Sequence, residues 1–365
     1  MYKNVTFMLL VVCLLAACNS TPIKSTRIST NQALQVNHGI VAVQVINNAE
    51  RLGTWHKGWT EVIMFRLDNI DAKKQLAREL PDNKSQKKST IKISDEDLEW
   101  EPDFYTLTPH NQGVIDSQIF VGTVPEGEYI ISSLYSFYNG GDFTSWVSMP
   151  VMHSAGKFKV KNSRLTNLGS IVFQPLLNIK QSSFWSTNTS QRAYVTRISK
   201  QQKLDKYILD HYPNIQKQVD LSEVLSWEND DLNEFRIKLS ELSRDNAYGD
   251  KTIAIEHHGQ NIIASKFGLL KWQDKQGDWH KSSIDSNSQL SAAIETKDTI
   301  AIGGELGQVF ISNSLQGPWQ RQTPVSPKEA IIWFGKNAES SFSMTQTAND
   351  YLVYSFQEVG GTWAE

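Results

Sequence analysis

Cysteine is nearly absent from this chain of 365 residues. The two cysteines, Cys13 and Cys18, both lie close to the N-terminus. If residues 1–17 are removed and Cys18 is modified, no free thiol is left. Disulfides, thiolate metal sites and cysteine nucleophiles are then excluded from the rest of the chain.

A long apolar run is also missing. The longest run, residues 5–15, follows Lys3 and precedes the small residues Ala16 and Ala17. It is too short to cross a bilayer, and its layout is typical of a secretory signal. The sequence therefore predicts that residues 1–17 form a signal peptide.

The chain has no excess of charge of one sign. It carries 36 Lys and Arg against 39 Asp and Glu, for a net charge of −3, and both signs are spread along the sequence. A basic stripe of the kind that binds nucleic acid is not seen, so nucleic acid is not an expected partner.

The segment Leu15-Ala16-Ala17-Cys18 resembles the lipobox of bacterial lipoproteins. The resemblance implies cleavage by signal peptidase II before Cys18, which would carry the acyl chains that hold the protein on a membrane. An ordinary signal peptide is the alternative. In Gram-negative lipoproteins an aspartate after the cysteine favours the inner membrane. Asn19 stands there instead, so we expect the outer membrane, facing the periplasm, ahead of the inner membrane or the cell surface.

The chain after Cys18 is predicted to be mainly β. Residues 18–36 are rich in Ser, Thr, Asn and Gln and are interpreted as a flexible tether. Residues 37–178 are predicted to form an antiparallel β-sandwich, because short segments with strand periodicity alternate with turns. The step Pro125-Glu126-Gly127-Glu128-Tyr129 resembles the transthyretin-like or carboxypeptidase-regulatory sandwiches. Residues 71–103 are interpreted as a charged, solvated surface insertion, with a recruitment loop as the alternative.

Residues 179–246 are predicted to be a short helical connector. Ser199 and Gln202 are placed for a capping box, and Pro213 is expected to end the first helix. A second helix is expected from Asp231. Its apolar stripe is predicted to be core: Leu232, Phe235, Leu239 and Leu242.

A glycine turn followed by tryptophan recurs three times near the C-terminus. Trp279 and Trp319 are 40 residues apart, and Trp363 follows 44 residues later. A residue with an acidic or hydroxyl side chain lies five positions before each tryptophan. The turn residues, predicted to be scaffolding, are Asp274, Gly277, Trp279, Ser314, Gly317, Trp319, Glu358, Gly361 and Trp363.

A period of 40 to 45 residues with one turn and one tryptophan per unit is typical of β-propeller blades. These units resemble the Asp-box repeats of sialidase-like and photosystem-assembly-factor propellers. Residues 247–365 are therefore predicted to be a partial propeller of about three blades, with the tryptophans packed between blades. Since four or more blades usually close a propeller, the chain is interpreted as incomplete.

Catalytic and metal-binding motifs are not evident. A sialidase requires three arginines, whereas the repeats contain only Arg321. His257 and His258 are adjacent and point to opposite faces of a strand, so no metal site and no cofactor is predicted. Two aromatic groups, around Trp59 and around Phe137, could stack on sugars, although core packing is favoured.

The function expected from the sequence is that of a noncatalytic, lipid-anchored envelope protein whose β domains bind a protein or a glycan. One alternative is a fragment of a glycan-active, sialidase-like enzyme whose catalytic residues lie beyond residue 365. Another is a purely structural envelope component.

Overall fold

The computed structural model describes most of the chain after residue 22. The described residues are 23–29, 31–47, 58–68, 103–109, 117–139, 141, 144–151, 154–183, 186–198, 204–205, 208, 211–245, 256–257, 260–264, 266–296, 299–322, 325–326, 328–337, 340–347, 349–359 and 362–364. The predicted signal peptide, Cys18, the capping-box residues and residues 71–102 of the charged insertion lie outside them.

The predicted mainly β class is confirmed. Strands account for 57% of the structure and helices for 11%. Among the described residues, no helix has the length and apolar character needed to span a membrane.

The N-terminal half is built on an 11-stranded sheet. Its main path runs β10-β9-β2-β5-β4-β3-β6-β7, while β1, β11 and β8 pair with β4, β9 and β6. The bounds are β1 Lys24–Ser25, β2 His38–Asn47, β3 Glu61–Arg66, β4 Phe104–Pro109, β5 Ser117–Pro125, β6 Gly127–Asn139, β7 Thr144–Pro150, β8 Lys157–Val160, β9 Arg164–Ser183, β10 Ser186–Arg197 and β11 Asp220–Leu225.

The two ends of this sheet enclose one core. Val41, Val43 and Val45 of β2 face that core, together with side chains of β3, β4, β6 and β9. Ile40 and Ala42 point to the opposite face, where they pack in a second cluster. This alternation is the period of two that a strand buried on both faces requires.

Not every pair in the sheet is antiparallel. β2 pairs antiparallel with β5 but parallel with β9, and β1–β4 and β11–β9 are also parallel. A parallel pair needs a long crossover, which residues 48–163 supply for β2 and β9.

The boundary predicted at residue 178 is wrong, because it falls inside β9. β9 and β10 form an antiparallel ladder from Ile171 and Arg197 to Ser183 and Ser186, with a register shift between Ser186 and Thr187. Residues 180–183 at the end of β9 and residues 186–190 at the start of β10 are all polar, so they lack the apolar alternation that would have extended the predicted sheet.

The helices follow β10. Residues 205, 208 and 211 are helical, and the amide of Ile208 donates to the Leu204 carbonyl at 3.0 Å. Pro213 does not simply end this segment. It begins the short helix α1 (Pro213–Gln216), since proline suits a first helical position where no amide donor is needed.

Helix α2 (Asn233–Asp245) is oriented opposite to the prediction. The side chains of Leu232, Phe235 and Leu242 are exposed, with Phe235 at 58%. The buried residues are Arg236, Ser240 and Ser243. Three of the four residues of the predicted core stripe therefore face outward, while Leu239 is half-buried.

Helix α2 buries its polar side because the surface on which it packs is polar. The Tyr194 hydroxyl of β10 lies 3.0 Å from the Ser243 hydroxyl, and the Thr196 hydroxyl donates to the Arg236 carbonyl at 3.3 Å. Buried hydroxyl groups need hydrogen-bond partners, which an aliphatic face could not provide.

The C-terminal part contains three consecutive four-stranded antiparallel sheets, here named blades 1, 2 and 3. Blade 1 is β12 Glu256–His257, β13 Gln260–Ala264, β14 Leu269–Gln273 and β15 Trp279–Ser283; blade 2 is β16 Leu290–Glu295, β17 Ile300–Gly304, β18 Val309–Ser312 and β19 Gln320–Gln322; blade 3 is β20 Ala330–Lys336, β21 Ser341–Gln346, β22 Tyr351–Val359 and β23 Thr362–Ala364.

The blades pack face to face in sequence order. One apolar cluster joins blade 1 to blade 2 and includes Trp272 and Phe310. A second cluster joins blade 2 to blade 3 and includes Ile311 and Phe334. Each blade thus buries a face that it could not bury alone.

Candidate functional site

The three turn motifs found in the sequence occupy equivalent places. Asp274 follows β14, Ser314 follows β18, and Glu358 pairs with Trp363 across β22 and β23. Each motif therefore lies between the third and fourth strands of its blade. Gly361 lies outside the described residues.

In blade 1, Asp274 holds the turn together. Its Oδ1 accepts hydrogen bonds from the amides of Gln276 and Asp278 at 3.0 and 2.9 Å, and Oδ2 lies 2.6 Å from His280 Nε2. The hydrogen bond with His280 is the main cause that lowers the pKa of Asp274. Gly277 has φ of +91°, which favours glycine.

The tryptophans of the motifs differ in their packing. Trp319 packs against the cluster between blades 1 and 2, whereas Trp279 is exposed. The prediction that Trp279 packs between blades is therefore wrong. In blade 2 the amide of Gly317 donates to the Ser314 carbonyl at 3.0 Å, so Ser314 and Gly317 also form a tight turn.

The two aromatic groups considered for sugar stacking also differ. Trp59 is buried and meets Phe173 edge to face with a centroid distance of 5.0 Å. Phe137 pairs with Trp146 across β6 and β7, and both side chains are exposed. Core packing therefore holds for Trp59 but not for Phe137.

The described residues contain no group of three or more His, Cys, Asp and Glu side chains that could hold a metal ion. His257 lies in β12, while His258 is outside the described residues.

A cavity of about 300 Å³ lies where the N-terminal sheet meets α2. β9 and β10 form one wall, residues 226–229 form another, and the first turn of α2 closes the third side. The lining residues are Leu168, Arg197, Ile198, Ser226, Trp227, Asn229, Asn233, Arg236 and Ile237.

Arg236 is fixed in the cavity wall. It is only 2% exposed, and its Nη2 donates to Asp230 Oδ2 at 2.9 Å, while Nε donates to the Ser154 carbonyl at 3.1 Å. This hydrogen-bonded ion pair lowers the pKa of Asp230. The charge of Arg236 is thus matched by one carboxylate.

Arg197, unlike Arg236, is not paired with a carboxylate among the described residues. Its Nη2 donates to the Oδ1 of Asn233, and its buried Nη1 has no hydrogen-bond partner among the described residues. Burial, followed by the nearby charge of Arg236, lowers the pKa of Arg197. Within the part of the chain that the structure describes, no carboxylate is therefore bonded to Arg197, and Asp230, the acidic group near it, is bonded to Arg236.

Trp227 gives the cavity a rigid aromatic wall. Its Nε1 donates to the Leu168 carbonyl at 2.7 Å, and its ring meets Phe158 edge to face at 5.5 Å. The Arg197 guanidinium lies 5.6 Å from the centre of this ring, within the range of a cation–π interaction.

The outer face of blade 3, the face directed away from blade 2, is a second candidate surface. Trp333, Met344 and Val353 are direct neighbours across β20, β21 and β22. Trp333 is 50% exposed and Val353 is 63% exposed, and Tyr351 is exposed beside them. An exposed apolar group on a sheet face is the kind of feature that interaction surfaces have.

The orientation of Trp333 on that face depends on Gly335. A Cβ atom at Gly335 would lie 2.0 Å from the Trp333 ring, so the ring lies over the glycine. The absence of a side chain at Gly335 lets the indole lie along the sheet.

Sequence reasoning missed the cavity. Arg197 and Asn233 are 36 positions apart and belong to different elements, so no local motif joins them. Comparison with protein-family models and with curated proteins finds no match to this chain.

Proposed function

We propose that this protein is a noncatalytic, lipid-anchored component of the cell envelope that binds another protein through the outer face of blade 3. The observation that carries the proposal is the apolar row in which the half-buried Met344 lies between the exposed side chains of Trp333 and Val353. Burying such a row is favourable by about 25 cal/mol for each Å² removed from water.

The partner is expected to present an apolar β-sheet face. The two contacts that blade 2 makes with its neighbours are of this kind, since apolar side chains of one sheet pack on those of the next. The outer face of blade 3 offers the same chemistry, with Tyr351 at its edge. A sheet face of another protein would therefore continue the stack.

Site-specific photocrosslinking in intact cells tests the interface. A photoreactive phenylalanine analogue is placed at Val353 or Tyr351, with Phe137 on β6 as an exposed aromatic control. We expect a crosslinked protein from the two blade positions only, with the crosslink mapping to an apolar strand of the partner. Adding Trp333→Ser should reduce the yield at Val353 by at least about tenfold, equivalent to about 1.4 kcal/mol.

Other outcomes would point elsewhere. A product of twice the mass of the chain would make the partner a second copy. Binding to purified peptidoglycan that is lost in Trp333→Ser would make the ligand a glycan. Crosslinking at Phe137 equal to that at Val353 and Tyr351 would contradict binding through the outer face of blade 3.

The membrane anchor is proposed at Cys18, with the acyl chains in the outer membrane and the body in the periplasm. The support is the Leu15-Ala16-Ala17-Cys18 segment and Asn19. Two or three acyl chains bind almost permanently, because each buried methylene contributes about 0.8 kcal/mol.

Metabolic acyl labelling with and without globomycin tests this anchor. We expect label on the native chain, its complete loss in Cys18→Ser, and accumulation of precursor under the drug. Cleavage at another site without label would instead make the protein a soluble periplasmic one.

A further inference from the structure

The cavity beside α2 has an unbalanced charge. Among its described residues and their direct partners are two guanidinium groups, Arg197 and Arg236, and one carboxylate, Asp230. Asp230 is used by Arg236 through both of its oxygens. The local charge is therefore +1, and it is located at Arg197.

The groups around Arg197 also suit an anion. Asn233 Oδ1 accepts from both Arg197 and Arg236, and Asn233 Nδ2 donates to Asn229 Oδ1 at 2.9 Å. The oxygens of both amides thus have donors, while the amide group of Asn229 adds an N–H donor at the cavity wall. A ligand oxygen near Arg197 would meet donors, because the carboxylate nearby, Asp230, has both of its oxygens bonded to Arg236.

Apart from Ser226, the rest of the lining is apolar. Leu168, Ile198 and Ile237 contribute aliphatic groups, and Trp227 contributes a fixed ring. A cavity of about 300 Å³ is at the small end of ligand-binding pockets. An organic ligand of the size of a single amino acid or one sugar ring would fill it.

We propose that this cavity binds the carboxylate of a small organic ligand, with the carboxylate at Arg197 and Asn229 and the organic part against Trp227 and Ile237. A singly charged group balances the local charge of +1. A phosphate dianion would exceed that charge and would lie near Asp230, which already neutralises Arg236. This site is independent of the blade 3 face.

Arg197 acts as the anchor, and Arg236 as a positioning residue. Arg236 is held by Asp230 and Ser154, and it fixes Asn233, which in turn orients Arg197. Charge-assisted hydrogen bonds from a guanidinium to a carboxylate are about twice as strong as neutral ones. Loss of Arg197 should therefore reduce affinity more than loss of either amide.

Isothermal titration calorimetry on the full processed lipoprotein in detergent tests the proposal. The probes are N-acetyl-L-alanine, which presents a peptide-type carboxylate, and D-glucuronate, which presents a sugar carboxylate. Their neutral counterparts are N-acetyl-L-alaninamide and D-glucose, and inorganic phosphate is the competing anion. We expect one carboxylate to bind, and its neutral counterpart to bind at least about tenfold more weakly.

Three variants locate the site. Arg197→Gln should weaken binding of that carboxylate by at least about tenfold, whereas Arg27→Gln, which removes an exposed arginine and the same charge, should leave it unchanged. Ile237→Glu, on the exposed rim, should weaken it by placing a carboxylate at the mouth. Thermal unfolding of each variant shows that it is folded.

Four results would overturn the proposal. These are absence of binding by both carboxylates, equal binding of the neutral counterpart, equal or tighter binding of phosphate, and unchanged affinity in folded Arg197→Gln. None of them affects the crosslinking result expected for blade 3, so the two proposals fail separately.

Discussion

At the scale of single residues, the ion pair of Asp230 and Arg236 links the stability of the fold to pH. The hydrogen bond from Arg236 lowers the pKa of Asp230 below its ordinary value of 3.8. A depressed folded-state pKa gives stability that is fully present above the unfolded pKa and is lost as the pH falls through the folded pKa.

We therefore expect Asp230→Asn to destabilise the protein most at neutral pH and progressively less below about pH 4. The measurement is urea unfolding of the native chain and the variant at several pH values. The control is the double variant Arg236→Met/Asp230→Asn. It lacks the ion pair, so any pH dependence of its stability comes from other groups. A difference between native chain and Asp230→Asn that is the same at about pH 3 and pH 7 would contradict the expected linkage.

Residues whose role is local could be predicted from sequence, and residues that act across the fold could not. Asp274 and Gly277 form a turn whose signature is complete within a few positions. Arg197 and Trp227 meet only because the segment after β11 packs beside the end of β10, and nothing near either residue in the sequence indicates that contact.

At the scale of elements, the orientation of α2 can be tested by substitution on each of its faces. Phe235 is exposed, so Phe235→Gln should change the free energy of unfolding by less than about 0.5 kcal/mol. Ser240 is buried and donates to the Ile237 carbonyl at 2.8 Å. Ser240→Leu inserts extra methylene groups there and should cost about 1 to 3 kcal/mol.

Urea unfolding of both variants at neutral pH provides the comparison. The orientation predicted from the apolar stripe gives the reverse order, because Phe235 would then lie in the core. A larger loss for Phe235→Gln than for Ser240→Leu would thus favour the sequence-based orientation.

The sequence predicted the existence of α2 correctly and its buried face wrongly. Helical spacing of Leu232, Phe235 and Leu239 indicates a helix with an apolar side. Which side packs depends on the surface below, where Tyr194 and Thr196 require polar partners. The three blades were predictable because their period is visible in one chain, whereas the polar end of β9, residues 180–183, gave no strand signal.

At the scale of the whole molecule, Phe267 joins the N-terminal sheet to blade 1. It is fully buried in a small cluster with Ile46, Val172 and Ile198. The neighbouring Lys266 donates to the Asn47 carbonyl at 2.8 Å. These contacts couple the two parts of the chain.

We expect Phe267→Ala to split thermal unfolding into two transitions, because the contact between the two parts of the chain loses about 3 to 5 kcal/mol of stabilisation. Differential scanning calorimetry measures this directly. Phe310→Ala also removes a buried phenyl ring, but from the cluster between blades 1 and 2 and not from the contact between the N-terminal sheet and blade 1. It should lower the midpoint temperature of a single unfolding transition. One transition in Phe267→Ala would show that the parts are coupled elsewhere.

The parallel pairing of β2 with β9 has a consequence for the time at which the N-terminal core closes. Synthesis proceeds from the N-terminus, and 117 positions separate the end of β2 at Asn47 from the start of β9 at Arg164. Until β9 is in place, one edge of β2 is an open template for misassembly.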